Sequence, residues 1–424
     1  MRVSGVVRVP GDKSLTHRAL LLASIAPGTS HLGGLLTSLD ARSSARVLRQ
    51  LGVEISPLRE GQVVRVRGRR RFRRPADILN CGNSGTTTRL LLGLLAAHRF
   101  SATLTGDRSL RRRPMRRVTR PLALMGARFS EPAGDGLPLT VRGGRLQSLR
   151  YEMPVSSAQI KSCLLLAGLA AGVPVAVREP GGRSRDHTER LVAAFGFTVL
   201  ERDGWIEFEP TGRMEPFEMQ IPGDPSSAAF LVGAGVLAES GEFRIAGVGT
   251  NPTRTGYLAV LERMGAPVPA VGEYPSFNEP VADLLVRPAA LSATEISADE
   301  IPGLIDEIPM LAVVASRARG TTVFRQVGEL RVKESDRLGL LARNLRSVGG
   351  RAEVRGEDLW VEGGDTAPAG PVVTEGDHRI AMAFAVLGTL PGARIRIDDP
   401  GCAAVSFPGF SEALQRIRDR SRHG

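Results

Sequence analysis

Lys13, Lys161 and Lys333 are the lysines of a 424-residue chain with 56 Lys and Arg in total; the rest of its positive side chains are arginines. A solvated surface charge is served equally by either residue, so the three are either chance survivors or sites that need an ammonium. An ammonium shifts its pKa when buried and can pass on a proton, which a guanidinium cannot readily do. Two of the three stand among other reactive types. "GDKSLTHR" (11–18) carries Lys13, Ser14 and Arg18, and "RVKESDR" (331–337) packs Lys333, Glu334, Asp336 and Arg337. "LIDEIPM" (304–310) adds Asp306 and Glu307 beside apolar residues, where a carboxylate is a poised base or a cap. "GDHR" (376–379) holds Asp377, His378 and Arg379, "GNSGTTTR" (82–89) holds Asn83, Gly85, Thr86 and Arg89, and "RRRPM" (111–115) puts Arg113 in a loop. Carboxylates, ammonium groups and arginine forks together suit proton transfer on an anionic substrate. Each segment alone also reads as a capped helix start with solvated charges, and the GxxxxGK[ST] phosphate loop is absent.

The elements that must position these residues repeat. A polar turn followed by an apolar helix recurs as "GDKSLTHRALLLASIA", "GNSGTTTRLLLGLLAA", "SSAQIKSCLLLAGLAA", "GDPSSAAFLVGAGVLA", "IDEIPMLAVVAS" and "GDHRIAMAFAVLGTL", at a spacing of about 70 to 80 residues. Between the copies, amphipathic stretches such as "VLRQLGVEI" and "LALMGARF" end at a glycine, the expected helix terminator. Each unit reads as strand, helix, strand, helix, strand, strand; in the first, "GVVRVP" is the opening strand. The first helix of each unit is apolar nearly all round and should be buried on every side, whereas the second is half polar and can face water. The expectation is an α/β fold with helices inside and sheets outside, built as two domains of three units and joined near residues 10–12 and 223–226. Most of the chemically interesting residues fall at the N-terminus of a buried helix, where free N–H groups and a partial positive charge attract anions.

Composition narrows the function. With 42% apolar residues the chain can bury real cores, and its longest apolar runs are far short of a membrane span. No signal-type apolar segment opens it, and Cys81, Cys163 and Cys402 are too scattered for a disulfide framework or a zinc site, so a cytoplasmic setting is expected. The net charge of +12, with "RVRGRRRFRRP" and "RSLRRRPMRRVTR", invites a nucleic-acid reading, but aromatics are only 4% of residues and supply a poor stacking surface. The competing reading is a site for small anions.

In order and across nearly the whole chain, "VPGDKSLTHRALLLA", "GNSGTTTRLLLG", "RRRPM", "SSAQIKSCLLLAGL", "SRDHTERL", "GDPSSAAF", "IDEIP", "RVKESDRL", "GDHRIAMAFAV" and "SFPGF" resemble the 5-enolpyruvylshikimate-3-phosphate synthase family. The resemblance implies a two-domain inside-out α/β barrel of six βαβαββ units, three per domain. One domain would span residues 13–225; the other would combine 226–424 with a crossed-over N-terminal strand within 1–12. It implies transfer of the enolpyruvyl group of phosphoenolpyruvate to the 5-hydroxyl of shikimate 3-phosphate through a tetrahedral adduct, with release of phosphate, on the route to chorismate. Carried over by motif, Asp306 is the base, Glu334 the acid, and Lys13 shuttles protons and contacts both substrates. Ser14, Arg18, Ser157, Gln159, Arg185, Asp306 and Lys333 hold shikimate 3-phosphate; Gly85, Arg113, Gln159, Arg337 and Arg379 hold phosphoenolpyruvate. No cofactor or metal is implied, and the expected partners are small anionic substrates acting on a monomer, with no nucleic acid and no membrane.

The chain departs from the family pattern in two places. Where many relatives have "GSK" it has "GDK", which sets a carboxylate next to Lys13 in sequence; where many have a second lysine before "SFP" it has Val405, so a phosphoenolpyruvate contact is missing or replaced. Gly85 leaves space that suggests room for glyphosate. Lys161 gains no role from the resemblance. The sister UDP-N-acetylglucosamine enolpyruvyl transferases share the architecture but typically use a loop cysteine, and "TGDRSLRRRPM" has none. A nucleic-acid-binding protein or an RNA-terminal phosphate cyclase of related units is the rival of a different class.

Overall fold

The computed structural model describes residues 1–130, 134–181 and 183–418. The chain divides into two compact units. The N-terminal unit comprises Gly11–Ile221 with Ser276–Glu279; the C-terminal unit comprises Met1–Pro10, Pro222–Pro275 and Pro280–Gly424.

Each repeated motif becomes a core helix: Lys13–Ile25, Gly85–Ala96 and Ala158–Ala171 in the N-terminal unit, and Pro225–Val236, Ile308–Ala315 and His378–Leu387 in the C-terminal unit. The apolar sequence dictates their burial: all twelve residues of Pro225–Val236 and all eight of Ile308–Ala315 are withdrawn from solvent. The polar residue of the preceding turn satisfies the first free N–H groups. Asp12 accepts from the Leu15 N–H at 2.7 Å, Ser84 from Thr87 at 3.1 Å, Asp224 from Ser226 at 2.9 Å and Asp377 from Arg379 at 2.9 Å. Gly93 allows close helix packing, since a Cβ there would lie 2.1 Å from the Cys163 carbonyl oxygen of the Ala158–Ala171 helix.

The sheets follow one pattern. In the third copy, Val175–Arg178 runs parallel to Leu149–Glu152 (Tyr151 opposite Val177) and antiparallel to Trp205–Glu209, which pairs in turn with Thr198–Arg202. The order recurs for Leu79–Asn80, Ser101–Thr105, Leu139–Arg142 and Arg128–Ser130, and for Glu295–Ile296, Thr321–Phe324, Asp358–Glu362 and Arg351–Arg355. The sixth copy is shorter among the described residues: Ala369–Val372 pairs in parallel with Arg394–Ile397 as a two-stranded sheet.

The first copy corrects the reading of "GVVRVP" as its own opening strand. Val6–Val7 runs parallel to Phe243–Gly249 in the C-terminal unit, with Val7 opposite Ile245. The vacated position beside Gly28–Gly33 is taken by Glu218–Gln220, with Met219 opposite Leu32. Two strands have exchanged sheets. Parallel partners are joined only through long connections, so two-residue strands carry no local signal of which edge they join.

Candidate functional site

In the N-terminal unit the starts of the three core helices are tied to one another by polar side chains. Lys13 opens its helix and makes an ion pair with Asp40, a buried residue of the Leu39–Gln50 helix. The neighbouring Asp12 is occupied as the helix cap, so the carboxylate paired with Lys13 comes from 27 residues away and not from the "GDK" motif. One turn on, the buried His17 Nδ1 lies 2.8 Å from Ser44 Oγ, which is 2.7 Å from Thr87 Oγ1, which donates to the cap residue Ser84 at 2.7 Å. Burial pushes the His17 imidazole down to about 4, so it is neutral at physiological pH.

Arg18 lies on the same helix as Lys13 and Ser14 and spreads its donors over three partners. Its Nε donates to Thr188 Oγ1 at 2.8 Å, Nη2 to Ser162 Oγ at 2.7 Å and Nη1 to the Ser14 carbonyl at 3.0 Å. Burial lowers its pKa to about 10, against the pull of Glu189 and Asp12 and with the repulsion of Arg185. The guanidinium thus remains charged at physiological pH, and Arg185 adds a second cation to the same surroundings. Ser157, at the start of the third core helix, makes no capping bond with its side chain.

Gln159 is held from both ends of its amide: Arg89 donates to Oε1, and Nε2 donates to Thr86 Oγ1 at 3.1 Å. Arg89 also donates to the Pro114 carbonyl at 3.0 Å. Arg113 lies between the Arg108–Arg111 and Arg116–Leu124 helices and donates to Asn83 Oδ1 at 2.7 Å, while Asn83 donates to Asp107 at 2.6 Å. Gly85 sits under these cations: a Cβ there would be 3.2 Å from Arg113 Nη1 and 3.5 Å from Arg89 Nη1. Two guanidinium groups over a helix N-terminus without a side chain form an arrangement suited to an oxyanion.

In the C-terminal unit Arg337 is the centre. Its fully buried guanidinium donates to Asp377 at 2.9 Å and to Glu334 at 2.6 Å, and Nη1 lies 3.6 Å from Asp306 Oδ1. Although burial works against it, Asp377, Glu334 and Asp306 hold its pKa above the ordinary value. Arg379 donates to the Asp306 carbonyl at 2.8 Å and approaches the Asp306 carboxylate at 3.6 Å. Lys333 lies 3.6 Å from Glu329; burial lowers its pKa, opposed by Asp306 and Glu329. Asp306, Lys333, Glu334, Arg337 and Arg379 are thereby brought into one charged cluster, although they come from three separate motifs.

Sequence reasoning named Asn83, Arg89 and Asp377 within their motifs but not as members of a site; the structure joins them to Arg113, Gln159 and Arg337. Asp40 was missed outright, because an aspartate in the first turn of an amphipathic helix reads as an ordinary helix-dipole partner.

The fold matches EPSP synthase from Acinetobacter baumannii with a TM-score of 0.86 at 38% identity, covering 98% of this chain and 96% of that one. The enolpyruvyl transferase NikO from Streptomyces tendae shares the fold alone, with a TM-score of 0.76 at 18% identity. The mixed α/β fold is therefore that of the enolpyruvyl transferases. The family model for EPSP synthase (3-phosphoshikimate 1-carboxyvinyltransferase) matches residues 1–414, and the 3-phosphoshikimate 1-carboxyvinyltransferase of Gloeobacter violaceus is 48% identical over 99% of this chain and 98% of its own. The chain belongs to the EPSP synthase family.

Proposed function

We propose that both charged clusters serve one reaction, the transfer of the enolpyruvyl group of phosphoenolpyruvate to the 5-hydroxyl of shikimate 3-phosphate. Membership of the family makes the chain an enolpyruvyl transferase of the shikimate pathway. Asp306 takes the proton of the 5-hydroxyl as its oxygen bonds to C2 of phosphoenolpyruvate, and C3 gains a proton from Glu334. The tetrahedral adduct then returns a C3 proton to Glu334 and expels phosphate, which takes up the proton held by Asp306, so the atoms balance without a cofactor. Glu334 accepts a hydrogen bond from Arg337 and must gain the proton it delivers. Lys13, an ammonium that can give and recover a proton, is assigned that recycling task.

Arg337, Arg379, Arg113, Gln159, Lys13 and the Gly85 backbone are assigned to phosphoenolpyruvate. Lys13, Ser14, Arg18, Ser157, Gln159, Arg185, Asp306 and Lys333 are assigned to shikimate 3-phosphate. The observation that carries this reading is Arg337, a fully buried guanidinium linking Asp306, Glu334 and Asp377, which orients three carboxylates against one cation. The all-round burial of the core helices supports the inside-out arrangement of six units in two domains, 13–225 and 226–424 with the N-terminal strand.

The chain is further read as a cytoplasmic monomer acting on small anions, without nucleic-acid or membrane partners. Among the described residues no helix is long and apolar enough to cross a membrane. Both tryptophans are already covered by arginines: Arg150 and Arg178 lie 3.7 and 5.0 Å from the Trp205 ring centre, and Arg355 and Arg325 lie 4.5 and 5.3 Å from that of Trp360. Neither ring is a free platform for stacking a base. The test is phosphate release: it is expected only when shikimate 3-phosphate and phosphoenolpyruvate are both present. Release from phosphoenolpyruvate alone, or tight salt-dependent binding of an oligonucleotide without phosphate release, would overturn the reading.

A further inference from the structure

Lys161, the lysine left without a role, is wholly buried in the Ala158–Ala171 core helix. Its ammonium lies 2.8 Å from Glu179 Oε2, 2.8 Å from Glu189 Oε1 and 3.2 Å from the Ser184 carbonyl oxygen. Three oxygens converge on the ammonium, Glu179 and Ser184 as hydrogen-bond acceptors and Glu189 as an ion-pair partner, a geometry that a flat guanidinium fork does not reproduce. Glu179 and Glu189 are themselves almost fully buried. Their attraction holds the Lys161 ammonium above its ordinary pKa in spite of burial.

The cluster grips a particular stretch of chain. Ser184 is held at both backbone groups: its carbonyl accepts from Lys161, and its N–H donates to Glu179 Oε2 at 3.2 Å. Arg185 follows directly. Glu189 stands one residue after Thr188, whose hydroxyl accepts from Arg18 Nε at 2.8 Å and donates to Ser162 at 2.7 Å. One buried ammonium thus sets the backbone before Arg185 and, through Glu189, the helix turn that supports Arg18.

We propose that Lys161 is a positioning residue for shikimate 3-phosphate: it fixes Ser184 and Glu189 so that Arg185 and Arg18 meet the substrate in one geometry. The proposal rests on the reading above that Arg18 and Arg185 bind that substrate.

The test is steady-state kinetics on the full-length enzyme with each substrate varied in turn. Two variants are compared, each checked first for a cooperative thermal transition. Lys161→Met/Glu179→Gln removes one charge of each sign and leaves Glu189 beside Arg18. Lys161→Arg keeps the charge but not the three-point geometry, and serves if the double variant does not fold. Both are expected to raise KM for shikimate 3-phosphate by on the order of tenfold, with kcat and the KM for phosphoenolpyruvate within about twofold of the parent. An unchanged KM for shikimate 3-phosphate, or an equal rise for both substrates, would overturn the proposal. Arg185→Ala separates the two levels. If Arg185→Ala raises that KM and the folded Lys161 variants do not, the proposal alone fails; if Arg185→Ala leaves it unchanged, the binding reading fails and takes the proposal with it.

Discussion

Arg337 Nε donates to Asp377 Oδ2 at 2.9 Å, and neither side chain has any exposure to solvent. The same aspartate caps the His378–Leu387 helix through the Arg379 N–H, so one carboxylate aligns two arginines of the charged cluster. Asp377→Ala is expected to leave a buried guanidinium short of a partner and to cost about 3 to 5 kcal/mol of stability, measured by urea unfolding. A loss below about 1 kcal/mol would show that Glu334 and Asp306 suffice to hold Arg337.

His17 gives the pH dependence a definite sign. Its folded pKa of about 4 lies below the ordinary 6.5, so the unfolded chain takes up a proton first as the pH falls. The stability contributed is present in full above about pH 6.5 and is lost progressively down to about pH 4, amounting to about 3 kcal/mol. His17→Gln should flatten the acid limb over that window relative to the parent. Identical slopes in the two proteins would exclude His17 as a source of the limb.

Lys13→Arg keeps a cation opposite Asp40 and is expected to fold normally. Its guanidinium cannot recycle a proton, so kcat should fall by about 10²- to 10⁴-fold. Phosphate release at the parent rate would remove Lys13 from the proton path.

Asp306→Asn preserves shape while removing the proposed base. Shikimate 3-phosphate should still bind, as seen by calorimetry, while turnover falls by about 10²-fold or more. Turnover at the parent rate would move the base elsewhere in the cluster around Arg337.

Gly85→Ala places a methyl group 3.2 Å from Arg113 Nη1 and 3.5 Å from Arg89 Nη1. A guanidinium can yield by a few tenths of an ångström, so the fold should survive while the pair of cations spreads. KM for phosphoenolpyruvate is expected to rise more than that for shikimate 3-phosphate, and equal rises would place Gly85 away from phosphoenolpyruvate.

Lys13 and Lys161 show how far the sequence reached by itself. The repeated turn and apolar helix were legible, because caps and hydrophobic periodicity are local and Asp12, Ser84, Asp224 and Asp377 all cap where the motifs place them. The ordered motifs were specific enough to mark the family and to gather Asp306, Glu334 and Arg337. Tertiary structure alone decided the pairings. It gave Lys13 the distant Asp40 instead of the adjacent Asp12, set Glu218–Gln220 beside Gly28–Gly33, and closed Glu179, Glu189 and Ser184 around Lys161. Each of these depends on which remote groups share a low-dielectric interior or a sheet edge, where a buried charge must find an opposite charge and a strand must find a partner. Spacing along the chain carries no record of either meeting.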